Sequence, residues 1–308
     1  MLSLPDAGFR RPRVAGMGCR SVGRHQIEGK GRFLKAGKVN TGIIDVWDVA
    51  TFDEELRRDL DAHPELIRDY YLTSRRQWLE REASDHLSPY PQNPYAGEFI
   101  WVTEHIMRLM EERTIRAWHY SRMTDPEVEE LRTEGIYPST LDTIRRRFSA
   151  QVAAGAFSHQ VADRLFADSP FQSEQLRSRS NKFWMVSHPV DIEDGGVELL
   201  LESWGGESAY FWQRDPELQR LLRGIGRPRV LEVAMPLCHS RHTYSAAEAV
   251  VASYGRMLGA TTEKKAFDLY THQPLGPEFV LAVHSKGDPA FVKIARGYPS
   301  GYVETDLG

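Results

Sequence analysis

Apolar and polar positions divide the chain into a helical stretch followed by an alternation of strands and helices. From Thr51 to about Arg113 the apolar residues recur at helical spacing. Thr51 and Glu54 form a capping box that starts a helix toward Ala62. Pro64, placed at a first helical position, starts a second helix with Leu66, Ile67, Tyr70, Tyr71 and Trp78 on one side, running toward Leu87. The prolines of SPYPQNPYAG (88–97) make a loop, and Phe99, Ile100, Ile106, Met107 and Met110 predict a third helix ending near Arg113.

Ile115 to Tyr120 then reads as a short strand. Thr124 and Glu127 form a capping box, Asp125 and Glu127 place negative charge in the first turn, Val128 and Leu131 give a buried stripe, and Gly135 stops the helix. A helix through Leu141, Ile144, Phe148 and Val152 closes at Gly155, and Ser158 starts another to about Ala167. The polar segment 168–181 reads as a mobile loop. KFWMVSHP (182–189) reads as a strand too consecutively apolar to be half exposed. VELLLESW (197–204) predicts a short helix, Gly205-Gly206 a turn and SAYFWQ (208–213) a strand; Asp215-Pro216 then caps and opens a helix. PRVLEVAMPL (228–237), AFDLY (266–270) and EFVLAV (278–283) read as strands, and AAEAVVASYGRMLG (246–259) as a helix. The succession predicts an α+β fold. A helical layer (41–113) packs on a mixed, mostly antiparallel two-sheet core within residues 114–308.

Composition changes this picture only at the N-terminus. The chain of 308 residues is 41% hydrophobic and 27% charged, as ordinary globular proteins are. Its net charge of −4 argues against wholesale nucleic-acid binding. Residues 1–40, however, carry nine basic residues against Asp6 and Glu28 and are punctuated by glycines. They read as a disordered tail, the alternative being a basic arm that touches nucleic acid or an acidic partner. Cys19 and Cys238 do not form a disulfide framework, so a reducing cytoplasm is expected. No apolar run reaches the roughly 20 residues that span a bilayer, and no apolar segment follows Arg10, Arg11 and Arg13 to make a secretory signal.

The common catalytic motifs are absent: no P-loop, no GxSxG elbow, no HExxH, no paired CxxC. Cys238, His239 and His242 come nearest to a metal cluster but lack a fourth ligand at a useful spacing, so no metal is expected. Arg145, Arg146 and Arg147 read as a solvated basic face. What remains is spread along the chain: His119 at a strand end, the aromatics Phe183 and Trp184 on a middle strand, and Glu278 at the start of the last one. Taken singly, each fits an ordinary structural role, and Glu198 and Glu207 compete as carboxylates.

In this order the residues resemble the ADP-ribosyltransferase superfamily, in the branch that includes poly-ADP-ribose polymerases and diphtheria-type toxins. HYSRMTDPEVEELRTEGI is similar to the family's first strand and helix, with Ser121 at the second small polar position; NKFWMVSHP, VLEVAMPL and PLGPEFVLAV are similar to later strands. The resemblance implies a split-sheet core that uses NAD as substrate. His119 and Ser121 would then bind it, and Phe183, Trp184 or Tyr210 would stack on nicotinamide. Glu278 would be the catalytic carboxylate. It further implies a protein or nucleic-acid acceptor, and a role as an intracellular toxin or defence effector. Two departures stand out: the bulky Tyr120 follows the His where the family usually has Gly, and Phe183 or Trp184 stands at the usual Tyr position. Two other readings remain open. One is a related NAD-using enzyme acting on RNA 2′-phosphate through Arg116, Arg122 and Arg179. The other is a non-catalytic binding or regulatory protein that works through its basic arm.

Overall fold

The computed structural model describes residues 42–83, 91–173, 176–211 and 213–294. The predicted basic arm lies outside them, as does the stretch 84–90 toward which the second helix was expected to run.

The fold is α+β. Three helices come first: α1 (Glu54–Asp61), α2 (Pro64–Glu82) and α3 (Ala96–Met110). The cap of α1 is Asp53, which accepts from the Leu56 N–H, and not Thr51 as its capping-box spacing suggested. The Thr51 hydroxyl is engaged in the preceding turn, accepting from the Asp45 N–H and donating to the Asp48 carbonyl. On α3, Phe99, Val102, Thr103, Ile106 and Met110 form a buried stripe at three- and four-residue spacing. It packs on α10 (Thr243–Met257), which is buried almost all round. Small residues let α10 approach closely: a Cβ on Gly255 would come within 2.7 Å of the Tyr71 ring.

The strands β1 (Thr114–Met123), β2 (Phe183–Val186), β3 (Arg227–Pro236), β4 (Asp268–Thr271) and β5 (Val280–Ser285) form one antiparallel sheet in the order β4-β2-β1-β3-β5. The mostly antiparallel pairing expected is present, but among the described residues the strands make a single sheet with one weak seam and not two sheets. All ten residues of β1 pair with β3, whereas β1 and β2 meet only at Trp118↔Val186. β1 is buried on both faces, which is why its polarity does not alternate cleanly. Ile115, Ala117 and Met123 enter the main core with the helical layer; Trp118 and Tyr120 enter a smaller cluster with Val197, Leu201 and Val230.

Beyond β1, α4 (Asp125–Glu134) carries the predicted Thr124–Glu127 capping box with both bonds made. Its stop, Gly135, has φ 87, and a Cβ there would lie 2.2 Å from the Leu275 carbonyl oxygen. Gly135→Ala is therefore expected to lower stability by about 2 kcal/mol, read as a lower urea midpoint. Next come α5 (Leu141–Ala153), α6 (His159–Ala167) and the short α7 (Leu176–Arg179). After α8 (Glu198–Glu202), whose Leu201 joins the Trp118 and Tyr120 cluster, comes α9 (Pro216–Gly224); α5, α6 and α9 enclose a second core of Phe148, Phe157, Leu165, Trp204 and Leu222. The segment read as strand 208–213 is instead a turn: a 3-10 turn covers Gly206–Ser208 and residues 209–211 continue turning. Its Tyr210 packs against the second core.

Candidate active site

Where β1 and β2 part, a cleft of about 620 Å³ opens between the seam and the helical cover of α4, α5, α7 and the 196–208 segment. That volume is ample for a nucleotide-sized ligand. The seam is pinned by a side chain as well as by its one rung. Nδ1 of His119 lies 2.8 Å from the Trp184 carbonyl oxygen. Because a carbonyl only accepts, Nδ1 carries the proton, and in the neutral ring Nε2 is left as an acceptor. The imidazole packs against Phe183 at 4.4 Å between ring centres.

Burial pulls His119 down to about 4; the Trp184 carbonyl opposes this and Arg147 adds to it. The ring is therefore neutral at physiological pH. The unfolded chain, titrating near 6.5, takes up its proton first as pH falls, so the stability this ring contributes is complete above that value and is lost toward pH 4. Between pH 7 and 5.5 the wild type is expected to lose about 1.2 kcal/mol that His119→Gln does not lose. Urea midpoints of the two proteins at the two pH values test this.

The other sequence-derived residues distribute unevenly. Ser121, buried, lines the cleft beside His119, as do Phe183 and Trp184; the Trp184 indole is 38% exposed. Tyr210 does not line it. Tyr120 carries its bulk into the smaller core cluster, its hydroxyl donating to the Val190 carbonyl and accepting from the Val190 N–H. Glu278 is not among the lining residues: it is exposed in the turn Pro277–Phe279 that leads into β5. β5 pairs with β3, on the side of β1 away from β2. Four carboxylates do line the cleft: Glu127, Glu130, Glu207 and Asp268. Glu127 is committed to Thr124, Arg147 and the Trp204 indole, and Glu130 to Arg146 at 2.9 Å. Arg146 and Arg147 therefore serve α4 and are more than the solvated face their run suggested.

Glu207 is ion-paired with Arg179 of α7, whose guanidinium also lies over the Phe211 ring at 4.6 Å. Asp268 opens β4 opposite Val186, level with the single rung of the seam. Lys182 faces the cleft too, its Nζ donating to the Ser178 carbonyl at 2.7 Å. Glu207 was legible as a carboxylate beside a glycine turn; Asp268 and Lys182 gave no sequence signal. Of the arginines proposed for binding a 2′-phosphate, only Arg179 lines the cleft. Arg116 is tied to Asp45 and Glu232, and the Arg122 Nε donates to the Ile225 carbonyl. Among the described residues no group of His, Cys, Asp and Glu is placed to hold a metal ion, and no helix is long and apolar enough to cross a membrane.

Comparison with protein-family models, curated proteins and solved structures gives no match for this chain.

Proposed function

We propose that the chain binds NAD in the cleft at the β1–β2 seam and transfers its ADP-ribose to an acceptor. The observation that carries this reading is His119, its proton fixed on the Trp184 carbonyl and its ring packed on Phe183 beside an open cleft. A neutral imidazole with one committed nitrogen presents the other as an acceptor for a ribose hydroxyl. Phe183 and Trp184 offer apolar surface to the nicotinamide ring. The reaction breaks the bond between ribose C1′ and the nicotinamide nitrogen, the electron pair leaving with nicotinamide. Positive charge then develops on the ribose, and a carboxylate aimed there lowers the barrier.

Glu207 is our first assignment for that carboxylate, in place of Glu278. It lines the cleft and is ion-paired with Arg179. Asp268 is the second. The test is nicotinamide release and NAD binding by the purified full chain beside His119→Ala. Measurable turnover, with NAD affinity weakened about tenfold or more in the variant, is the expected result. Absence of NAD binding by the wild-type protein sinks the proposal.

A further inference from the structure

Beside the cleft, the edge of the sheet carries a group of aromatic and basic side chains that packing does not require. Trp184 of β2 stands directly opposite Tyr270 of β4, their rings 4.6 Å apart and edge to face. Tyr270 also meets His242 at 4.9 Å and His272 at 5.0 Å. The Lys182 ammonium lies over both rings, 4.6 Å from the centre of Tyr270 and 5.1 Å from that of Trp184. None of these side chains belongs to the apolar clusters of the core. The group is continuous with the cleft, because Lys182 and Trp184 line both.

We infer that this Lys182–Trp184–Tyr270 edge docks single-stranded nucleic acid, stacking an unpaired base on the aromatic pair. Sequence-tolerant stacking on exposed aromatics with a cation beside them is how single strands are held, since every base has a π-face and every linkage a charge. Among the described residues the Lys182 ammonium makes no ion pair: its contacts are a backbone carbonyl and two rings, which leaves its charge available to a phosphate. Asp268 at the start of β4 supplies the one opposing charge on that strand and would turn the phosphate backbone toward Lys182 and His272. A folded protein or a duplex presents no splayed base to such a platform.

A second step rests on the transfer reading above: the docked strand is then the acceptor. A nitrogen of the unpaired base would bond to ribose C1′ as the nicotinamide bond breaks. The electron pair would leave with nicotinamide and the proton of the attacking nitrogen would pass to water.

The test is fluorescence anisotropy of a labelled oligothymidylate of about twelve nucleotides with the full chain. Micromolar binding is expected, weakened about tenfold by Trp184→Ala and by Tyr270→Ala, while Tyr270→Phe keeps it. Lys182→Ala should weaken binding and flatten its salt dependence. Melting temperatures of the variants separate a lost platform from a lost fold. No binding by the wild type, or equal binding by both alanine variants with the fold intact, overturns the inference. The two readings fail separately. Strand binding without NAD turnover keeps the platform and removes the transferase. NAD turnover that labels only protein, with no strand bound, removes the platform alone.

Discussion

Replacing Glu207 with glutamine is expected to lower nicotinamide release at least about 100-fold while leaving NAD affinity within a few-fold. Glutamine keeps the shape and one hydrogen-bond acceptor for Arg179 but removes the charge. A group that matters only as positive charge develops on the ribose should therefore show its loss in turnover and not in binding. The carboxylate is also held where a substitution acts locally. It follows Gly205 and Gly206, whose φ angles of 87 and 53 belong to the left-handed region, and the Ser208 hydroxyl donates to the Gly205 carbonyl. Asp268→Asn and Glu278→Gln belong in the same experiment. Full loss in Asp268→Asn with Glu207→Gln unaffected would transfer the role to the carboxylate level with the seam. Loss confined to Glu278→Gln would take the chemistry out of this cleft altogether.

Glu127→Ala is expected to cost roughly 3 to 5 kcal/mol of folding stability, the largest effect anticipated for a residue outside the reaction. The buried Glu127 carboxylate accepts from the Thr124 N–H at 2.7 Å, the Thr124 hydroxyl at 2.9 Å and the Trp204 indole at 2.9 Å, and it pairs with Arg147. Removing it breaks the half of the α4 capping box that satisfies the Thr124 N–H and strands both the indole N–H and a half-buried guanidinium. Burial works against the charged form of Glu127, but Arg147, the Thr124 N–H and the Trp204 indole outweigh it and hold the group below the usual carboxylate range. Its contribution is therefore complete at neutral pH and is lost as the solution is acidified through that range. Urea titration at neutral pH should show the midpoint of Glu127→Ala well below that of Glu127→Gln, which retains hydrogen bonding. Equal midpoints would mean that the charge carries the whole effect and that hydrogen bonding by glutamine restores none of it.

What could be read in advance was what is local. The Thr124–Glu127 box, the Asp215–Pro216 helix start and the helix read at 246–259 each depend on residues within a turn or two, and each is present. Errors came where two local signals competed or where the partner lay far along the chain. Thr51 and Asp53 are both good caps, and only the turn at Asp45 and Asp48 decides which one is free. SAYFWQ has strand-like aromatics, yet the two left-handed glycines before it turn the chain and send Tyr210 into the second core. Glu278 precedes a strand in the sequence as in the structure. No spacing says which neighbour that strand takes, and β5 takes β3. The Trp184–Tyr270 pairing, between residues far apart in the chain, exists only through the register of β2 with β4.

The single rung between β1 and β2 gives one strand two very different backbones. Its β3 side is laddered along its full length and buried, so amides there should exchange with deuterated solvent only when the domain opens globally. Its other side is held at Trp118↔Val186 and by the His119 ring, by the Arg116 N–H donating to the Ile44 carbonyl at 2.9 Å, and by a bridge between Arg122 and Trp204. Between these ties, at Tyr120, the backbone borders a cleft that water can enter and should exchange orders of magnitude faster. β1 thus carries slow and fast clocks on its two sides. Whatever fills the cleft would be seen first as the fast set slowing to join the other.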